Sequence, residues 1–190
     1  MAAIAVVGAS LAYFTDSKTA SNTFTLGEVK IVLDESDVNN TSSRVTENAY
    51  TVMPGLECIK DPAVHNTGKN PAYIRAKVTV SDWTAEYAKF FPNDAGELKN
   101  SLLLLVGSLN TGWSIENAVT SEDGKDVTFV LKYAPVLNKD ASTPAMFNTV
   151  TIPTALQNGD TFGNITVIAE AIQSESFASW EAAFAAFDLQ

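Results

Sequence analysis

Apolar and polar residues alternate with a period of two over much of this chain. Ala72, Ile74, Ala76, Val78 and Val80 interleave with Tyr73, Arg75, Lys77 and Thr79, the pattern of a strand with one buried and one wet face. Val127, Phe129, Leu131 and Tyr133 repeat it against Thr128 and Lys132. Residues 147–153 and 162–172 are β-branched-rich runs, set off by Gly159-Asp160 and Gly163-Asn164, and read as further strands. Between residues 23 and 33 the parity changes: Phe24 and Leu26 share one phase, and Val29, Ile31 and Leu33 share the other. The change falls at Gly27-Glu28, which predicts a β-bulge or a sharp strand bend.

Helical spacing interrupts this pattern twice. Residues 84–91 carry Tyr87, Phe90 and Phe91 and stop at Pro92, so a short helix is predicted there. Residues 177–187 place Phe177, Trp180, Phe184 and Phe187 on one stripe, with Ser176 or Ser179 as the cap, the mark of a helix docked on a core. Residues 101–108, with Leu102-Leu103-Leu104-Leu105-Val106, form an apolar run of strand length ended by Gly107. Loops rich in Asn, Ser, Asp and Gly are expected at 37–43, 121–126 and 138–143. No repeat or linker divides the chain. About eight or nine short strands separated by turn signals predict an all-β, jelly-roll-like antiparallel β-sandwich with one or two short helices, one of them C-terminal.

Composition narrows the function. The chain has 190 residues, 46% of them hydrophobic, and carries a net charge of −10 from 12 basic and 22 acidic residues. No basic stripe stands out, which argues against binding nucleic acid or an anionic membrane surface. Cys58 is the only cysteine, so no intramolecular disulfide can form, and a lone thiol reads as a small apolar group. Residues 1–12 are an apolar, small-residue run ending in Ser10-Leu11-Ala12. The run is too short to span a membrane, fits the hydrophobic part of a secretory signal, and predicts cleavage between Ala12 and Tyr13. No stable membrane span is expected after processing.

Around that junction the residues resemble a known family. Leu11-Ala12-Tyr13-Phe14-Thr15-Asp16 is similar to the junction of proteins processed by the SipW-type signal peptidase. Residues 20–31, beginning Ala20-Ser21-Asn22-Thr23-Phe24 and ending Val29-Lys30-Ile31, resemble the first strand of the TasA/camelysin family of biofilm matrix proteins. Met53-Pro54-Gly55, Lys60-Asp61-Pro62, Asn66-Thr67-Gly68 and Asn70-Pro71-Ala72 are similar to its later turns and strand starts, and the likeness covers roughly the first 80 residues. The resemblance implies a jelly-roll subunit secreted by a Gram-positive bacterium. In that family it is assembled with copies of itself into fibres of the extracellular matrix or cell surface. It also implies that, after cleavage, the new N-terminal segment is donated as a strand to a neighbouring subunit.

The residues fit such an arm. Tyr13 and Phe14 are large apolar groups at the new terminus, followed by the polar Thr15, Asp16, Ser17, Lys18 and Thr19. An arm over residues 13–22, ahead of a sandwich over 23–190, can pair with an exposed sheet edge, either its own or another copy's.

A zinc protease of the camelysin description needs two imidazoles one helical turn apart, and His65 is the only histidine. A Ser-His-Asp set resting on His65 has no local sequence support, and no Gly-x-Ser-x-Gly elbow or phosphate loop occurs. Asp34, Glu35, Asp37 and Asn39 resemble a loose calcium loop without its glycine and distal glutamate. Asn39, Asn40 and Asn164 match the N-glycosylation pattern. No catalytic residue, metal ligand or cofactor is assigned. The alternative to a fibre subunit is a secreted adhesin or carbohydrate-binding module displaying Trp83 and Trp113; a metalloprotease ranks below both.

Overall fold

The computed structural model describes residues 29–51, 53–91, 96–157 and 162–189, and the backbone of 15–19. The strands are β1 (Thr15–Thr19), β2 (Ile31–Asp37), β3 (Asn40–Val45), β4 (Glu57–Ile59), β5 (Ala63–Asn66), β6 (Ala72–Val80), β7 (Trp113–Thr120), β8 (Val127–Leu137), β9 (Thr149–Thr151) and β10 (Ile165–Gln173). The helices are α1 (Trp83–Phe90), α2 (Leu102–Val106) and α3 (Trp180–Phe187). A five-stranded antiparallel sheet has the order β1-β10-β6-β8-β7. A three-stranded sheet, β3-β2-β5, and a β4-β9 ribbon make up the other layer. The all-β sandwich is as expected.

The alternation explains the core. Ile74, Ala76, Val78 and Val80 of β6 face Phe129 and Leu131 of β8 and Ala169 and Ala171 of β10, and all of them are fully buried. Ile31 and Leu33 of β2 and Val64 of β5 close the same core from the second layer. Met146, Phe147, Val150 and Ile152 fill it around β9. Of the 147–153 run, only Thr149–Thr151 pairs as a strand; the remaining side chains pack without a ladder.

Several local expectations change. The apolar run at 102–106 is a helix, with Leu102, Leu105 and Val106 buried and Leu103 and Leu104 outward. That is helical spacing, which a continuous apolar run conceals. The loop expected at 37–43 is a hairpin, with β2 and β3 joined by Val38 and Asn39. Its turn is tightened by Asp37 Oδ1 accepting from Asn39 N at 2.8 Å and Asn40 Oδ1 accepting from Ser42 N at 3.3 Å. β8 runs on through Pro135, because β7 begins only at Trp113 and the last ladder-like bond on that side is Ala134 N to Gly112 O at 2.8 Å. A proline beyond it forfeits no hydrogen bond. Gly112 itself has φ 89°, and a Cβ there would lie 2.7 Å from the Tyr133 ring. The parity change at Gly27-Glu28 lies outside the described residues.

The outer face of β6 and β10 is covered over part of its length. There α3 covers it, capped by Ser179, whose hydroxyl accepts from Ala182 N at 3.2 Å. Phe184 and Ala183 pack on Ile172 with Tyr73 and Trp180 beside them, and Trp180 Nε1 donates to Ile74 O at 2.7 Å. Arg75, expected in solvent, is 5% exposed beneath the helix. Its Nε donates to Glu170 at 2.5 Å and its two terminal nitrogens hold Asp188 at 2.8 and 2.5 Å. The guanidinium lies 4.4 Å from the Phe184 ring centre and 5.3 Å from that of Phe187, within cation–π range.

The far edge of the five-stranded sheet is irregular. Opposite β8, Ile115 pairs with Leu131 and Asn117 with Val130, so Glu116 is an extra residue and β7 carries a β-bulge.

Candidate assembly site

The arm expected to act between subunits forms β1 in the single chain and lies antiparallel on β10. Thr15 stands opposite Ile172, Asp16 opposite Ala171, Ser17 opposite Glu170, Lys18 opposite Ala169 and Thr19 opposite Ile168. Ala12, Tyr13 and Phe14, and with them the cleavage junction, lie outside the described residues. Each residue of β1 is polar, including the two opposite the core-facing Ala169 and Ala171. Such a strand brings backbone hydrogen bonds but no apolar side chain, and register in a strand polar on both faces is weakly specified.

β1 covers only part of its partner. β10 begins at Ile165, three positions before the residue opposite Thr19. Along Ile165, Thr166 and Val167, no described strand pairs on that side. A cleft of about 810 Å³ opens at this place between the layers. Leu33, Val150, Ile152, Phe162, Ile165 and Val167 give it apolar walls, and Glu35, Asn48, Tyr50 and Lys60 give it a polar side. Cys58 also lines it, half-buried, and burial pushes its thiol above the usual range.

Two groups fix the walls. At the start of β10, Gly163 is pressed against residue 81: a Cβ there would lie 2.0 Å from Ser81 O, so only glycine fits. Its N–H donates to Glu86 Oε1 of α1 at 2.8 Å. Glu86 is buried, and its Oε2 has no hydrogen-bond partner among the described residues. Burial pushes this carboxyl above the usual glutamate range; the Gly163 N–H and Lys89 oppose the shift, and Asp82 adds to it. A raised acid makes its full contribution to stability below its unfolded value, and loses it as pH rises through the folded one. Glu86→Gln keeps an acceptor for Gly163 and removes the charge. It is expected to raise stability by about 1 kcal/mol at pH 7 and to change it little at pH 4, as read from urea midpoints at the two values. Equal effects at both would sink the assignment.

On the polar side, Glu35 Oε2 accepts from Lys60 Nζ at 2.9 Å and Oε1 accepts from Asn48 Nδ2 at 3.0 Å. The Tyr50 hydroxyl donates to Ile59 O at 2.9 Å; burial, then the Glu35 carboxylate, push it upward. Sequence reasoning missed this cluster. Its members are far apart in the chain, and Glu35 was read with its neighbours as part of a calcium loop.

That loop does not assemble. Along a strand successive side chains diverge, and here they are separately engaged. Asp34 binds Arg44 and His65, Glu35 binds Lys60 and Asn48, and Asp37 turns back to Asn39 and Ser43. Among the described residues, no three His, Cys, Asp or Glu side chains are grouped to hold a metal ion. His65 does meet a serine and an aspartate: Ser142 Oγ lies 2.5 Å from Nδ1 and Asp34 Oδ1 lies 2.9 Å from Nε2. Yet the same Asp34 oxygen takes Arg44 Nε, and the described lining of the cleft includes neither His65 nor Ser142. The trio ties β2 and β5 to the turn before Thr143, where Val64 N donates to the Thr143 hydroxyl at 3.0 Å. Trp83 and Trp113, the aromatics a displayed binding surface would use, are both buried. Their indole N–H groups donate to Ser101 Oγ at 2.9 Å and Pro144 O at 3.0 Å.

No protein-family model, curated protein or solved structure matches this chain. No helix among the described residues is long and apolar enough to cross a membrane.

Proposed function

We propose that this chain is a secreted structural subunit of extracellular fibres. Cleavage between Ala12 and Tyr13 by a SipW-type peptidase frees an arm, beginning with Tyr13 and Phe14, that pairs with the β10 edge of another copy at the cell surface or in the matrix. The observation that carries this reading is the all-polar β1, set on β10 beside a cleft with apolar walls. A strand that buries no apolar side chain of its own is joined mainly by backbone bonds. It can leave the slot it fills in its own chain and be replaced by the equivalent strand of a neighbour. Arm and slot are different segments of the subunit, so an exchange that passes from each copy to the next, and is not returned, is heterologous and propagates. Strand addition of this kind takes affinity from the backbone and register from side chains seated in pockets.

The processed chain, starting at Tyr13, is expected to form filaments visible by electron microscopy as its concentration rises. A chain lacking residues 13–21 is expected to keep the same circular dichroism and remain monomeric in sedimentation. Filaments persisting in the shortened chain would sink the proposal, as would a processed chain that stays monomeric at every concentration.

A further inference from the structure

We infer that Asn48 and Lys60 join covalently through a self-formed amide between their side chains, with Glu35 as the proton carrier. The two nitrogens involved sit on the two oxygens of one carboxylate: Lys60 Nζ at 2.9 Å from Oε2 and Asn48 Nδ2 at 3.0 Å from Oε1. The carboxylate is 7% exposed and the lysine side chain 11%, so water hardly competes for either. The remaining atoms of Asn48 are fixed as an acyl donor needs. Its Oδ1 accepts from Val38 N at 3.0 Å, and Nδ2 also donates to Ser36 O at 2.8 Å. The lysine is held from its backbone by Lys60 N to Asn148 O at 3.0 Å, with its ammonium 5.9 Å from the Tyr50 ring centre.

Each group has a role in the step. Glu35 Oε2 takes a proton from the Lys60 ammonium, leaving an amine with a free electron pair. That nitrogen attacks Asn48 Cγ, and the negative charge that develops on Oδ1 is met by the Val38 N–H, a donor already in place. The Cγ–Nδ2 bond breaks as Glu35 delivers its proton to Nδ2. A second proton from Nζ follows the departing nitrogen, which leaves as ammonium. Lys–NH3⁺ and Asn–CONH2 thus become Lys–NH–CO–Asn and NH4⁺, and Glu35 ends as the carboxylate it began as. No oxidant, metal or water is consumed. The product closes the segment carrying β4 and the turn at Gly55 into a covalent ring, and so staples the polar side of the cleft. A chain with the single cysteine Cys58 cannot make that staple from sulfur.

Intact-mass spectrometry of the full purified chain tests this directly. The expected mass is about 17 Da below that of the sequence, one ammonia lost. Chemical cleavage at methionine cuts after Met53, which lies between the partners, and after Met146; the two fragments that flank Met53 are expected to stay joined. Glu35→Gln and Lys60→Arg are each expected to restore the sequence mass and to let the fragments separate. A wild-type chain at its sequence mass after prolonged incubation overturns the inference. So does a 17 Da loss whose fragments separate after cleavage at Met53, since that places the loss elsewhere in the chain.

Discussion

Arg75→Ala is expected to destabilise the fold by about 3–5 kcal/mol, because it strips one partner from a buried ion pair and leaves the other behind. Glu170 is 5% exposed and among the described residues would keep only Lys77, whose Nζ lies 2.7 Å from it. The same change removes the two bonds to Asp188 and empties the space against Phe184 and Phe187. The pair itself is not the source of the stability: Arg75→Met combined with Glu170→Met is expected to recover most of the loss, since an apolar pair of similar volume avoids the desolvation of two charges. Urea unfolding followed by tryptophan fluorescence reads both effects, and a loss below about 1 kcal/mol for the alanine variant would contradict the buried placement. Acid should loosen the same contact. The Arg75 hydrogen bond, and then its charge, hold the Asp188 carboxyl below the usual aspartate range. Its contribution is therefore present above the unfolded value and lost as pH falls through the lowered one.

Trp83→Ala is expected to cost a similar amount, about 3–5 kcal/mol, as a large-to-small change in a packed interior. The indole is fully buried, with ring centres 5.9 Å from Tyr87 and 6.1 Å from Phe91. It ties α1 to the start of α2 through Nε1 and the Ser101 hydroxyl, itself buried. Trp83→Phe separates the two contributions. The ring volume is largely kept and the hydroxyl is orphaned, so a smaller loss of about 1–3 kcal/mol is expected. If the phenylalanine variant were as stable as wild type, the Ser101 bond would contribute nothing.

Most of this architecture was legible in the chain because a half-buried strand must alternate. β6 and β8 were placed by period two, β10 by a β-branched-rich run beside Gly163-Asn164, and α1 and α3 by aromatic spacing. The errors share a cause, which is that local pattern does not see what packs on top. Arg75 read as solvent-facing because the helix that buries it lies over a hundred positions away. The leucine run at 102–106 carries no phase until one side is covered, and the 37–43 segment looked like a loop because its polar side chains bond back to their own hairpin. The site divides in the same way. Thr15 to Thr19 could be recognised as a pairing segment, but its partner β10, the cleft and the cluster of Glu35, Asn48 and Lys60 exist only once the layers close. The apolar residues of the arm, Tyr13 and Phe14, lie outside the described residues.

The bulge at Glu116 bears on how a sheet of this kind can be lengthened. Its two margins are unlike: one ends in the all-polar β1, and the other is kinked out of register by a single surplus residue. A margin bent in that way offers no straight row of amides to a second copy of itself, so two molecules cannot zip together flank to flank. In the fibre proposed above, extension would then fall to the opposite margin, which would give the subunit a front and a back.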